Sequence, residues 1–167
     1  ETDGDAIKIL IANVLQDNTN TNLCNDAISR NKPDIILLVE TDERWCNAVQ
    51  ECLDGYPYRV LQPQRDTYGM LLFSQLEIVK HEVRFLVEPE IPSITADIKT
   101  REGKIFRLYC LHPKPPVPGE SKDSTERDAE ILIVGKEAKG KAEAELVQGA
   151  ETSQLLVVQG KIECAQI

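Results

Sequence analysis

The chain has 167 residues, a length typical of one domain, and residues 1–167 are predicted to form a single domain. Its content of 41% hydrophobic and 28% charged residues is typical of a globular protein that buries a core. The net charge of -9, from 28 acidic and 19 basic residues, excludes the broad positive field that binds nucleic acid non-specifically. A local basic site or a bound divalent cation is compatible with this charge.

The cysteines indicate free thiols rather than a metal site. They have no C-x-x-C spacing, and with only two histidines they cannot assemble a zinc quartet. Scattered thiols suit a cytoplasmic-type reducing compartment. No signal peptide and no apolar run of transmembrane length is present, but the chain starts at Glu1 rather than Met, so an upstream membrane anchor stays open. The five are Cys24, Cys46, Cys52, Cys110 and Cys164.

The first forty residues predict a strand, a helix and a second strand. Residues 7–14 are nearly all apolar, residues 21–31 have an apolar stripe at helical spacing, and residues 35–39 form an unbroken apolar run typical of a buried strand. A right-handed crossover between two such strands makes them parallel. Asn13 and Glu40, which end the two strands, are therefore predicted to lie at the same edge of a sheet.

The middle of the chain changes from helical to alternating periodicity. Thr41 is predicted to cap a helix over 42–53, after which period-two segments at 58–61, 69–74, 78–87, 94–100 and 104–111 predict an antiparallel meander. In the longest of these, one face is predicted to carry Val79, His81, Val83, Phe85 and Val87. Asp123 is predicted to cap a helix over 124–139, and 155–158 form the last short buried strand. The pattern predicts a mixed α/β sandwich of two mainly antiparallel sheets with helices outside.

Asn13, Glu40 and His112 each follow a predicted buried strand, and together they suit metal-assisted phosphoester hydrolysis. Glu is a hard oxygen ligand for Mg²⁺, Asn can hold a phosphate oxygen without adding charge, and His can donate a proton. Each has a simpler interpretation: Asn13 as a loop-backbone partner, Glu40 as a helix-start carboxylate, His112 as a loop residue beside proline. His81 is predicted to be structural. Arg127 and Lys114 are candidates for phosphate contact or plain solvated charges.

Six stretches across residues 7–140 carry a resemblance to a known superfamily: 9–16 (ILIANVLQ), 33–40 (PDIILLVE), 56–58 (YPY), 69–74 (GMLLFS), 111–113 (LHP) and 124–130 (STERDAE). In these the chain resembles the endonuclease/exonuclease/phosphatase superfamily, with the deoxyribonuclease I-like fold, and especially a bacterial subgroup. The resemblance implies a four-layer αββα sandwich, incomplete at its C-terminus, and hydrolysis of phosphodiesters or phosphomonoesters with Mg²⁺ or Mn²⁺. It makes Asn13, Glu40 and His112 catalytic and Glu40 the metal ligand.

The chain departs from the family pattern after residue 140. Where the family has Gly-Asp-x-Asn after a buried strand, this chain has Gly160-Lys161-Ile162-Glu163, and the family's later Asp and Asp-His pair have no counterpart. Lys161 cannot orient a water as a carboxylate does, so phosphodiester hydrolysis by this sequence is expected barely above background. A sandwich without the family's final strands also leaves strand edges uncovered, which predicts either further polypeptide beyond this sequence or self-association.

Three interpretations therefore stay open: a phosphoesterase, a non-catalytic family member that binds a phosphate ligand or a protein partner, and a structural fragment. The substrate class is open among nucleic acid, lipid head groups and small phosphoesters.

Overall fold

The computed structural model describes residues 7–114, 121–139, 144–148, 155–159 and 163–166, with side chains over 7–50, 52–114 and 128–139. Three α-helices, a short 3-10 turn at Gln50–Cys52 and ten strands follow one another along these residues. In chain order they are β1 (Lys8–Asn13), α1 (Asn22–Asn31), β2 (Ile35–Val39), α2 (Glu43–Val49), β3 (Tyr58–Gln62), β4 (Met70–Ser74), β5 (Ile78–Arg84), β6 (Ser93–Lys99), β7 (Ile105–Leu111), α3 (Ser121–Lys139), β8 (Ala144–Gln148), β9 (Leu155–Gln159) and β10 (Glu163–Gln166).

The strands form two five-stranded sheets. The first has the order β10-β1-β2-β4-β3 and the second the order β5-β6-β7-β9-β8. The predicted parallel pairing of β1 and β2 is confirmed, and its register places Asn13 beside Val39. The second sheet is antiparallel throughout, as predicted, whereas the first is mixed because β10 and β2 both run parallel to β1.

The layers follow from the alternation of side chains along β2, which is buried on both faces. Ile35, Leu37 and Val39 pack between the two sheets, against residues such as Ile94 and Leu108. Ile36 and Leu38 point the other way, into a cluster with the buried residues of α1 and α2. Helix α3 covers the outer face of the second sheet through Val134 and Ala138. The predicted four-layer αββα sandwich is therefore confirmed.

The N-cap of helix α2 is one residue later than predicted. Thr41 was predicted as the N-cap, but Asp42 occupies that position, and its carboxylate accepts a hydrogen bond of 2.9 Å from the backbone nitrogen of Trp45. Thr41 is instead fully buried, and its backbone bonds to the loop before β4. A carboxylate at the N-cap also interacts favourably with the positive end of the helix, which a threonine does not.

Asp42→Ala is expected to lower the free energy of unfolding by about 1 kcal/mol, because it leaves a backbone N–H at the helix start without its acceptor. Urea denaturation followed by circular dichroism measures the change. Asp42→Asn is the matched control, since an asparagine side chain caps as well as aspartate and should cost only a fraction of that. Equal losses in the two variants would contradict a capping role.

The prediction that Val79, His81, Val83, Phe85 and Val87 share a buried face of one long strand is wrong. β5 ends at Arg84, and its register on β6 shifts between Ile78 and Lys80. Val79, Phe85 and Val87 are 51%, 46% and 39% exposed, and His81 is exposed too. The strand lies at the edge of the second sheet, where an irregular register is common. Only Val83 of the five packs against the core between the sheets.

The end of the chain carries more structure than its weak pattern predicted. Helix α3 begins at Ser121, so Asp123 lies within the helix and is not its cap. The short strand predicted at 155–158 is present as β9, but β8 and β10 were missed. β10 lies beside β1 and β8 beside β9, so the two sheets have more strands than the sequence predicted. The predicted self-association stays a prediction.

Two other predictions concern the cysteines and the presence of membrane-spanning segments. The four cysteines whose side chains are described, Cys24, Cys46, Cys52 and Cys110, are free thiols. Within the described segments, no helix combines the length and the apolar character needed to span a membrane.

Candidate active site

Three polar side chains from three strand ends meet at one edge of the sandwich. Asn13 is the last residue of β1, Glu40 follows β2, and His112 follows β7 in the opposite sheet. The Nδ2 atom of Asn13 donates a hydrogen bond of 2.6 Å to Oε1 of Glu40, and Nε2 of His112 lies 3.7 Å from the same oxygen. The side chains of Glu40 and His112 are 18% and 5% exposed, so the group is largely shielded from water.

Asn13 uses both ends of its amide. While Nδ2 donates to Glu40, Oδ1 accepts a hydrogen bond of 3.0 Å from the backbone nitrogen of Leu15. The interpretation of Asn13 as a loop-backbone partner is thus correct for one end of the side chain. The other end holds the Glu40 carboxylate in one orientation, which is how an amide positions a charged group without adding charge.

Glu40 has a backbone conformation that is unfavourable for a residue with a side chain. Its φ of 59° is left-handed, as are those of Leu15 (55°) and Thr67 (69°). Such a conformation costs a non-glycine residue about 1–2 kcal/mol and is found preferentially at functional sites. Because α2 starts at Glu43 and is capped by Asp42, Glu40 does not belong to the first turn of a helix. Glu40 instead precedes the Asp42 cap by two residues, and its interpretation as a carboxylate ahead of this helix stays a prediction.

Residues 63–69 form a wall of the site, and Gln16 ties this wall to the end of β1. Oε1 of Gln16 accepts a 2.7 Å hydrogen bond from the backbone of Thr67, and Nε2 donates one of 2.9 Å to the carbonyl of Arg65. Trp45 donates from Nε1 to the carbonyl of Gln16 at 3.2 Å. The loops after β1, β2 and β3 are therefore held to one another before any ligand binds.

Tyr68 belongs to this wall and was missed from the sequence. Its ring centroid lies 6.0 Å from that of His112, in a tilted arrangement. Burial raises the pKa of the Tyr68 phenol, while Lys114 opposes the shift. The phenol therefore stays protonated near neutral pH and can act as a hydrogen-bond donor. Its position just before Gly69 in the GMLLFS stretch was the only available signal.

The other candidates lie apart from the carboxylate or outside the described side chains. Lys114 forms an ion pair with Glu88, and His81 lies on the exposed edge strand β5. Arg127 lies in α3, but its side chain is outside the described part. Lys161 is outside the described residues, and Glu163 is described only as the first residue of β10. The altered motif stays a prediction from the sequence.

Glu130 of α3 is a buried acid that was also missed. It is 4% exposed, and among the described residues its Oε1 atom has no hydrogen-bond partner. Burial, reinforced by the charge of Glu88 and opposed by that of Arg84, raises the pKa of Glu130 from 4.5 to about 7. The side chain therefore changes its charge near neutral pH.

Glu130→Gln is expected to remove a pH dependence of stability. Because the pKa of Glu130 is raised in the folded protein, its contribution to stability is present below pH 4.5 and lost as the pH rises through about 7. The wild type should lose on the order of 3 kcal/mol relative to the variant over that range. Urea denaturation at a series of pH values measures the difference. Glu90→Gln, at an exposed position, is the control. If stability depends on pH in the same way in the wild type and in Glu130→Gln, the raised pKa of Glu130 is refuted.

The donor set is compatible with one divalent cation bound through Glu40. In the described part of the chain, no hydrogen bond or ion pair engages Oε2 of Glu40, and no group of three His, Cys, Asp or Glu residues could enclose a metal. Mg²⁺ is commonly held by one or two carboxylates, with waters and substrate phosphate completing the shell. Glu40, oriented by Asn13, fits such an open site but not an all-protein cage.

The fold and the site define a class: an αββα sandwich with an oriented carboxylate, an amide and a histidine at one edge between its sheets. A family model described as the endonuclease/exonuclease/phosphatase family matches residues 10–144. The chain belongs to this family. None of the curated proteins compared with the chain matches it.

Solved structures with a similar fold have little sequence identity to the chain. D. rerio TDP2, complexed with single-strand DNA product, has a TM-score of 0.67 and 16% identity over 84% of this chain, which spans 57% of that one. The human Nocturnin catalytic domain, with a bound sulfate anion, has a TM-score of 0.66 and 15% identity over 89% of this chain and 82% of that one. A mannosyl-6-phosphatase of Bacteroides thetaiotaomicron has a TM-score of 0.59 and 12% identity over 90% and 84%. These likenesses establish the fold.

Proposed function

We propose that the edge formed by Asn13, Glu40 and His112 is the site of a divalent-cation-dependent phosphoester hydrolase. The observation that carries the proposal is the convergence of the three side chains on one oxygen: a 2.6 Å hydrogen bond from Asn13 and His112 at 3.7 Å, both to Oε1 of Glu40. The three residues come from separate strand ends and both sheets, and Glu40 sits there in an unfavourable backbone conformation. Membership of the family supports the same chemistry.

The three side chains then have distinct roles. Glu40 would hold Mg²⁺ or Mn²⁺ through its carboxylate, while Asn13 fixes that carboxylate and offers its amide to a phosphoryl oxygen. His112, shielded from water and beside the carboxylate, donates a proton to the phosphoryl group or to the leaving oxygen. A divalent cation supplies Lewis acidity there by polarising a phosphoryl oxygen. The substrate is a phosphoester: a nucleic acid, a lipid head group or a small phosphoester.

The test is release of nitrophenol from bis(nitrophenyl) phosphate, with Mg²⁺ and with Mg²⁺ removed by a chelator. Because Lys161 stands where the family has an acid, the expected rate is low but dependent on Mg²⁺. Glu40→Ala is expected to reduce the Mg²⁺-dependent part to background, because the carboxylate that holds the cation is lost. A rate that is unaffected by both the chelator and Glu40→Ala would overturn the proposal.

The second candidate is a non-catalytic family member that binds a phosphate ligand or a protein partner, and the Lys161 position favours it. It predicts binding without turnover. Saturable, Glu40-dependent binding of Mn²⁺ together with no Mg²⁺-dependent release of nitrophenol, at any enzyme concentration, would select it over the hydrolase.

A further inference from the structure

A polar cavity lies on the outer face of the second sheet, beside the end of α3. It has a volume of about 90 Å³, room for roughly three water molecules. Its lining comes from β5, β6, β7 and α3 and includes Lys80, Arg84, Thr95, Arg107 and Glu137. Arg107 precedes the end of β7 by four residues, roughly 13 Å of strand, so the cavity is separate from the His112 edge.

One of the three guanidinium nitrogens of Arg84 bonds to Glu137, and this fixes the side chain in the cavity. Nη1 donates to both carboxylate oxygens of Glu137, at 2.9 and 3.0 Å. Nε and Nη2 are buried, and neither has a hydrogen-bond partner among the residues that the structure describes. These two nitrogens form one edge of the guanidinium, and this edge can donate two parallel hydrogen bonds to a carboxylate or a phosphate. Burial of such donors without acceptors is costly, so the edge requires an occupant with oxygens.

Thr95 adds a third group with an unmet hydrogen bond. Its Oγ1 atom is buried and has no partner within the described residues. Thr95 lies on β6 two residues before Asp97, which holds Arg107 through bonds of 2.6 and 2.8 Å. The carboxylates of Asp97 and Glu137 are therefore neutralised by their own arginine partners. Glu82, an exposed acid, also lines the cavity, and Glu130 lies within electrostatic reach of Arg84. Among the described residues, the cavity atoms still without a hydrogen-bond partner are Nε and Nη2 of Arg84 and Oγ1 of Thr95.

We propose that this cavity is a binding site for a small oxyanion, a carboxylate or a phosphate. Two oxygens of the anion accept from Nε and Nη2 of Arg84, and the hydroxyl of Thr95 donates to one of them. Lys80, which also lines the cavity, contributes a positive charge at its rim. The paired acids keep the overall field weak, so affinity comes from directed hydrogen bonds and suits a regulatory ligand or a product rather than a tightly held cofactor.

The test is a titration of the ¹⁵N-labelled full chain with inorganic phosphate and, separately, with acetate, followed by two-dimensional NMR. The Nε–Hε signal of Arg84 and the amide of Thr95 report on this cavity, while the amides of Glu40 and His112 report on the candidate active site. The Arg84 and Thr95 signals are expected to shift saturably, whether or not the Glu40 and His112 signals shift. Tighter binding of phosphate or of acetate identifies which oxyanion the cavity prefers.

Two variants and one control make the outcome decisive. Arg84→Lys keeps the charge but loses the double donor, and should weaken binding at least about tenfold. Thr95→Val should weaken it about fivefold, whereas Thr95→Ser should not. Arg101→Lys, at an arginine paired with Asp34 elsewhere, is the control. No saturable shift of the Arg84 and Thr95 signals would mean that water alone fills the cavity, and unchanged affinity in Arg84→Lys would place the anion elsewhere; either result overturns the proposal.

Discussion

Gly69→Ala is expected to destabilise the protein by about 3 kcal/mol or more, since a small residue is required where two backbone segments touch. A Cβ atom at position 69 would overlap the carbonyl oxygen of Thr41 and lie 2.5 Å from the backbone nitrogen of Gln64. Both neighbours are backbone atoms, which cannot rotate away as a side chain can. The segments are also joined by hydrogen bonds, from Thr41 to the carbonyl of Gly69 at 3.2 Å and from Gln64 to that of Thr41 at 3.0 Å.

The effect should extend to the candidate active site, because Thr41 follows Glu40 directly and Tyr68 precedes Gly69. Urea denaturation gives the loss of stability, and the NMR signals of Glu40 and His112 report the disturbance of the site. Gly55→Ala is the matched control, since a Cβ there meets no atom within 4 Å. A Gly69→Ala variant as stable as Gly55→Ala would show that the contact between the two segments is looser than the structure has it.

Glu40→Gln is expected to abolish saturable binding of Mn²⁺, measured as the loss of the free-ion signal in electron paramagnetic resonance. The change keeps the size of the side chain and its ability to accept from Asn13, and removes only the charge that a hard cation requires. Asn13→Ala leaves the charge but frees the carboxylate, and should weaken Mn²⁺ binding by about 10–100-fold, as is usual for a residue that orients a metal ligand.

The control for this pair is Glu43→Gln, an exposed acid three positions away in the first turn of α2. It removes one negative charge, as Glu40→Gln does, and should leave Mn²⁺ binding unchanged. Equal Mn²⁺ binding by Glu40→Gln and the wild type would show that Glu40 is not the metal ligand. Equal binding by Asn13→Ala and the wild type would remove only the positioning role of Asn13, because the carboxylate itself would still be present.

The sequence was most informative where a local pattern also decides the tertiary position. β2 occupies the predicted residues 35–39 because a strand buried on both faces must be apolar throughout, and its parallel pairing with β1 then brings Asn13 and Glu40 to one edge. His112 joined them because β7 ends where its alternating pattern ends. The roles of these residues in catalysis remain predictions.

Features that depend on distant contacts were not predictable. The bonds from Gln16 to the 63–69 loop join residues 49 and 51 positions apart, and neither partner has a distinctive local pattern. The register shift of β5 follows from its place at a sheet edge, which periodicity does not reveal. β8 and β10 were missed since their Ala-, Glu- and Gln-containing sequences are weak strand formers, and the pairing with β9 and β1 defines them.

The position of β1 between β2 and β10 has a consequence for how the chain folds. β2 is made soon after β1, but Lys8 pairs with Glu163, so nearly the whole chain separates the partners on the other side. Closing so long a loop is slow, and parallel pairing between distant segments raises contact order. During synthesis, one row of β1 backbone groups therefore stays without a strand partner until residues 163–166 leave the ribosome. The strand that carries Asn13 is therefore made long before its second neighbour, and it stays open on that side until then.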